Sequence, residues 1–430
     1  MDVEGIKTIL EDIYHECKNL NGGKVADYIP QLGNVNPELF SISACTVDGT
    51  IIEIGDSTYD FCLQSCSKPL TYCMVREELG RTKVHSHVGY EPSGRSFNAH
   101  VLNKKGLPHN PMINAGAMMV CSLLHPNDEP SDRFEYILKS LERMSGHIGK
   151  IGFDNSVFLS EEQHADRNIS LAYFMRENKA FDGKITSSQM DEHLNLYFQA
   201  CSITINSKIG ASICATLANG GVSPVSGECV FSKDTIRDCL SIMYNCGMYD
   251  FSGEFSFEIG LPAKSGVSGC IFLVIPNVMG ICIYSPPLDD IGNSYKGIHV
   301  CKEFVKRLNY HIFDNIVSKN TYNNLQVLSK ETLIQKLITA ASNNDIVQLE
   351  KLKNVIDLNT HDYDHRTALH LASIEGNVET VQFLIENGCD INVRDRWGHT
   401  PRSQIEKLTD NKYQIIKKIL DKNIIFDSIK

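Results

Sequence analysis

The hexapeptide QSCSKP at residues 64–69 sets two hydroxyls, a thiol and an amine beside a proline. Residues 70–79 (LTYCMVREEL) have helical character and end at Gly80. Pro69 is tolerated in a helix only in its first turn, where its missing N–H is not needed. Ser65 is therefore expected at the very start of a helix. Positions three apart share a helix face, so Ser65 and Lys68 are expected to meet. Ser67 is turned roughly 160° from Ser65 by the 3.6-residue period. This spacing makes Ser65 the candidate nucleophile, Lys68 its base and Ser67 a structural hydroxyl. A helix start also offers free N–H groups and partial positive charge to a developing oxyanion. Against this, Pro69 disfavours helical backbone at Lys68. A lysine at its ordinary pKa of about 10.4 is also a poor base at neutral pH, so burial or a nearby cation must lower it.

Ser-x-x-Lys alone occurs in many unrelated chains. A second cationic motif, Lys264-Ser265-Gly266, stands just before the strand-like run that ends at Ile275. An SxxK paired with a downstream KTG-like triplet on a strand is the signature of penicillin-recognising serine enzymes. Their third motif, Ser-Asp-Asn, is missing, and Ser131-Asp132-Arg133 reads as a chance match. No HExxH, Walker loop or GxGxxG occurs. His85-Ser86-His87 is the nearest approach to a metal motif and lacks a third ligand at a familiar spacing. No metal and no cofactor are expected. The 15 cysteines are scattered without CxxC, which suggests reduced, mostly buried thiols.

The elements that must position these groups are legible in outline. Residues 39–47 and 50–54 read as strands about the turn Asp48-Gly49, and residues 269–275 and 278–284 as a hairpin across Pro276-Asn277. The middle, about 131–243, has mostly helical periodicity. Strands at both ends with helices between them predict an α+β fold whose antiparallel sheet is closed by distant segments. Further on, TALHLA at 367–372 and Thr400-Pro401, 33 residues after Thr367, carry the ankyrin signature and period. The division expected is an N-terminal helical arm (1–23), a catalytic domain (24–315), a linker (316–330) and ankyrin repeats (331–430). The net charge of −11 argues against nucleic acid or an anionic membrane as partner. No apolar run reaches the ~18–20 residues of a membrane span. The acidic start is unlike a transit peptide, so a cytosolic protein or one with its presequence removed is expected.

Taken in order, YIPQL (28–32), FCLQSCSKPL (61–70), EPSG (91–94), PHNPMINAGA (108–117), DRN (166–168), YFQACSI (197–203), ANGG (218–221), CGMYDFSGEF (246–255) and GLPAKSGVSG (260–269) resemble the serine-dependent glutaminases. With the ankyrin repeats, they are similar to the animal kidney/liver type. The resemblance implies a β-lactamase/transpeptidase-like domain that hydrolyses L-glutamine to L-glutamate and ammonia. It also implies a homo-oligomer (dimer or tetramer), a protein partner for the repeats, and a mitochondrial setting.

Residue by residue, it makes Ser65 the nucleophile, Lys68 the base and Tyr249 a proton shuttle. Tyr28, Asn114, Glu161, Asn168 and Tyr197 become the substrate set, and the backbone N–H groups of Val267 and Ser65 the oxyanion hole. Taken singly, Tyr28 reads as a packing residue, Asn114 as a helix cap, Asn168 as a turn residue and Tyr197 as core. Glu162 competes with Glu161. The loop at 95–103 departs from the family pattern at Ser96, Ala99, His100 and Val101. Weaker phosphate activation and a weaker tetramer contact are expected from the lost cations and apolar surface. Two alternatives stay open: a β-lactamase or peptidase with the same nucleophile, and an ankyrin scaffold with a decayed catalytic domain.

Overall fold

The segment SISACT forms β1 (Ser41–Thr46), which turns through Asp48-Gly49 into β2 (Ile51–Gly55). Two further hydrophobic runs, CIFLVI and MGICIY, form β7 (Cys270–Ile275) and β8 (Met279–Tyr284), joined across Pro276-Asn277. β8 then pairs antiparallel with β1, from Ser41↔Tyr284 to Thr46↔Met279. The short β6 (Ala263–Gly266) adds to β7, so the sheet order is β2-β1-β8-β7-β6. The closing of distant segments into one antiparallel sheet is as the sequence predicts. The structure, a computed structural model, describes residues 3–95, 99–314 and 330–427.

β1, β7 and β8 are buried along their whole length because both faces of the sheet are covered. Neighbouring residues on a strand face opposite ways. Phe272 and Cys282 face the helix Ser207–Ala218, where a Cβ on Gly210 would lie 2.6 Å from the Cys282 sulfur. Ile271 faces the helix Tyr295–Leu308, its Cδ1 2.8 Å from where a Cβ on Gly297 would stand. The helix Val3–Lys18 joins this second layer. Its Ile6, Leu10, Ile13, Tyr14 and Cys17 are buried, and Tyr14 stacks on Phe40 with ring centroids 4.7 Å apart. The segment that the sequence sets apart as an arm is therefore packed into the same compact unit, Val3–Asp314. Its apolar stripe, at spacings of three and four residues, is what the sheet face buries.

A second, smaller sheet has the order β3-β5-β4, from β3 (Phe61–Cys62), β4 (Gly152–Phe153) and β5 (Ile203–Ile205). The helix that opens at Ser67 is broken at Gly80, as expected, where φ is 76° and ψ 159°, and further helical turns run on to His85. Only glycine enters this region cheaply. The turn beyond it is held by Arg81 on Asp238 and by the Tyr72 hydroxyl 2.9 Å from His85 Nε2. His87 turns elsewhere, its Nδ1 against Ala180 O. The described cysteines are unpaired and, Cys229 apart, buried.

The remainder, from Asn315, is a separate compact unit. Its helices Lys330–Ser342, Ile346–Leu352, Ala368–Glu375, Val378–Glu386 and Asn411–Asp427 share a core that includes Leu337, Leu349, Leu369, Val381, Leu384 and Ile416. Thr367 opens its helix with a capping box closed by His370, whose Nε2 lies 3.1 Å from His399 O in the next repeat. The linker expected at 316–330 lies outside the described residues except for Lys330, and so do Ser96, Phe97 and Asn98 of the 95–103 loop. Among the described residues no helix is long and apolar enough to cross a membrane.

Candidate active site

The turn that carries Ser65 starts from the small sheet. Leu63 N–H donates to Ile203 O at 2.8 Å, which ties the end of β3 to β5. The chain then enters a single 3-10 turn, Gln64–Cys66, with Gln64 at φ 47°. A left-handed non-glycine residue costs on the order of 1–3 kcal/mol and persists only when its surroundings enforce it. Ser67 helps to do so, its Oγ donating to Gln64 O at 2.8 Å. One step on, Lys68 Nζ donates to Ser65 Oγ at 2.6 Å. Ser65 and Lys68 thus meet, while Ser67 is spent on the backbone. Pro69 sits in the first turn of the helix.

The strand β6 packs against this turn. A Cβ on Gly266 would lie 2.9 Å from Leu63 O and 3.2 Å from the Cys66 sulfur, so the triplet must end in glycine. Lys264 Nζ donates to Gly247 O at 3.0 Å and to Ser265 O at 2.6 Å, and lies 4.5 Å from the Tyr249 ring centroid. Lys68 is 2 % and Lys264 0 % exposed, so two amines share one desolvated centre. Burial, then the charge of Lys68, lowers Lys264 to about 7. Burial likewise drives Lys68 down, against the opposing pull of neighbouring thiols and Glu161. Tyr249 is buried at φ 54°. Burial pushes its phenol well up, and a hydrogen bond with Ser65 opposes that rise. Val267, the residue after the KSG triplet, uses its N–H in no backbone–backbone hydrogen bond among the described residues.

The other expected residues form two further groups. Tyr28 donates to Glu161 Oε1 at 2.6 Å, and Gln64 Nε2 donates to the same oxygen at 3.0 Å. Burial raises the Glu161 carboxyl, and these two hydrogen bonds oppose the rise. Glu162 is exposed, and both of these bonds go to Glu161. Asn114 Nδ2 donates to Asn168 Oδ1 at 3.0 Å, which links the helices Asn114–Leu123 and Asp166–Glu177. Among the described residues no hydrogen bond joins that pair to Ser65 or Lys68. Ile113, beside Asn114, lines a cavity of about 470 Å³ together with Arg95, Asn110 and Tyr249. Tyr249 also lines a cavity of about 600 Å³ with Val267, Lys24 and Asp27, so both open on its ring. Tyr197 is buried, with Lys68 Nζ 5.5 Å from its ring centroid. Gln64 was missed from the sequence. Its place directly before Ser65, the candidate nucleophile, was the available signal.

Such a site can attack an amide or ester carbonyl. It has a hydroxyl on a buried amine, a phenol within reach, a carboxylate for a cation and side-chain amides for a carboxylate. Residues 23–313 match the family model described as Glutaminase, and residues 300–395 the one for ankyrin repeats. The chain is 42% identical over 428 residues to the rat "Glutaminase liver isoform, mitochondrial", an alignment covering 98% of this chain and 70% of that protein. It is similar to a solved structure described as "Probable glutaminase ybaS", with TM-score 0.69 and 33% identity over 73% of this chain and 99% of that one. A structure titled as Mglu in its glutamate form matches with TM-score 0.66 and 31% identity, over 72% of this chain and 70% of that one. The chain belongs to the glutaminase family, the amidohydrolases of glutamine, and carries ankyrin repeats after the catalytic unit.

Proposed function

We propose that the chain hydrolyses the side-chain amide of L-glutamine through a glutamyl ester on Ser65. Ser65 Oγ attacks the amide carbon as neutral Lys68 takes its proton. The carbonyl oxygen becomes an oxyanion held by the N–H groups of Ser65 and Val267. Donors placed in this way typically contribute ~2.7–4 kcal/mol each. Tyr249 protonates the leaving nitrogen, ammonia departs, and Lys68 returns its proton to Tyr249. Water then attacks the ester, its proton passes to the same pair, and Ser65 Oγ regains a proton as glutamate leaves. Glu161, set by Tyr28 and Gln64, takes the substrate ammonium. Asn114, Asn168 and Tyr197 bound the α-carboxylate side, and burial keeps Lys68 from charging.

The observation that carries this reading is the buried 2.6 Å hydrogen bond from Lys68 to Ser65 beside a second buried lysine. Ammonia release by Ser65→Ala and Ser67→Ala tests it. Loss in the first and retention in the second is expected, and equal loss would remove Ser65 from its role. The chain is further proposed to act as a homo-oligomer (dimer or tetramer), to recruit a protein through its repeats, and to work in mitochondria, as the name of the rat relative has it for that protein. Sedimentation of the purified chain and microscopy of the tagged protein check the first and last of these.

A further inference from the structure

We infer that Ser252 is a positioning residue for Tyr249, its hydroxyl locking the left-handed turn that aims the phenol at Ser65. The inference rests on the reading of Tyr249 as the proton shuttle. The turn Tyr249–Phe251 follows the helix Lys233–Cys246, and Tyr249 takes φ 54°. A tyrosine there is strained and relaxes toward right-handed backbone unless its neighbours forbid it. Relaxation would swing the ring away from Ser65.

Ser252 blocks this from both sides of the residue. Its Oγ accepts from Met248 N–H at 2.9 Å and donates to Tyr249 O at 2.7 Å. Its own N–H also donates to Tyr249 O. One hydroxyl therefore spans the strained residue, from the N–H of the Gly247–Met248 peptide to the Tyr249 carbonyl. Ser252 is buried, so no solvent competes for these bonds. The rest of the turn is held by other elements. Lys264 Nζ and Ser265 N–H donate to Gly247 O, and buried Asn293 donates to Met248 O at 3.4 Å. These contacts hold the peptides before Tyr249. Ser252 reaches its carbonyl with both its hydroxyl and its N–H.

The test is a double-mutant cycle on glutamine turnover with purified full-length protein. Ser252→Ala is expected to lower kcat about 100-fold with KM little changed, as for a reacting group displaced by about 1 Å. In a Tyr249→Phe background, where no phenol is left to aim, the same change is expected to cost no more than about threefold. An equal fall in both backgrounds, or a single mutant that keeps its kcat, overturns the inference. Ser252→Thr and Ser252→Val are alike in shape and differ in the hydroxyl, so they decide the matter if the alanine variant fails to fold. The Thr variant must retain kcat and the Val variant lose it. A Tyr249→Phe enzyme with full kcat would overturn the Tyr249 reading, and this inference with it. A Tyr249→Phe enzyme that is impaired but additive with Ser252→Ala overturns the Ser252 inference alone.

Discussion

Lys68 Nζ lies 2.6 Å from Ser65 Oγ, three residues along the chain, with the lysine almost wholly withdrawn from solvent. The contact crosses the boundary between a 3-10 turn and the helix that follows it. A charged ammonium would gain little there and lose its hydration. The serine instead gains a nearby acceptor for its proton once the amine is neutral.

Removing that acceptor should act on rate and not on affinity. Lys68→Ala and Tyr249→Phe are each expected to lower kcat by about 10²–10⁴ with a much smaller change in KM, since both move protons. Steady-state kinetics on glutamine check this. A rise in KM alone would make them binding groups.

Ser67→Ala should leave turnover largely intact. It deletes the hydrogen bond to Gln64 O, a contact of about 1 kcal/mol. A modest fall in melting temperature is the expected readout, and a loss of turnover matching that of Ser65→Ala would contradict the geometry.

Activity should rise with pH. The working form of Lys68 is neutral, and burial lowers its pKa from the ordinary lysine value. Burial and the charge of Lys68 hold Lys264 down to about 7. At low enough pH both amines are protonated and repel, and the base is blocked. The log of kcat/KM should climb between about pH 6 and 9. A flat profile there would count against amine-based activation.

Glu161→Gln should weaken substrate binding. The change keeps the shape of the partner for Tyr28 and Gln64 but removes the charge that faces the substrate ammonium. A charge-assisted hydrogen bond is worth about 1.5–3 kcal/mol, so kcat/KM should fall roughly 10- to 100-fold, mainly through KM. The same change at exposed Glu162 should be almost silent, and equal effects at both positions would remove Glu161 from the site.

Deleting residues from 331 onward should leave a folded unit with intrinsic turnover, because every candidate catalytic residue and its supporting core lie in Val3–Asp314. Deleting residues 3–18 should instead strip Ile6, Leu10 and Ile13 from the sheet and destabilise that unit. Circular dichroism and ammonia release on the two truncations separate these outcomes.

Much of this architecture was legible because it is local. The alternation about Asp48-Gly49, the hairpin at Pro276-Asn277 and the i, i+3 spacing of Ser65 and Lys68 each follow from a period of two or 3.6 residues. What was not legible depends on contacts between distant segments. The helix Val3–Lys18 reads only as a helical arm until the sheet face that buries it is in view. Gly80 reads as a stop and is one, but the helical turns beyond it, held by contacts at Asp238 and Tyr72, are not legible. Gln64 looks like a polar residue before a nucleophile, and its role depends on Glu161, 97 positions away.

The most direct test of the account is mass spectrometry of the enzyme quenched during turnover of glutamine, or of a slow γ-glutamyl ester, followed by peptide mapping. The account predicts one glutamyl group on the peptide containing Ser65, absent from Ser65→Ala and accumulating in variants slow to deacylate. A glutamyl group mapped to Ser67 or Cys66, or burst-free turnover with no covalent adduct in any variant, would contradict it.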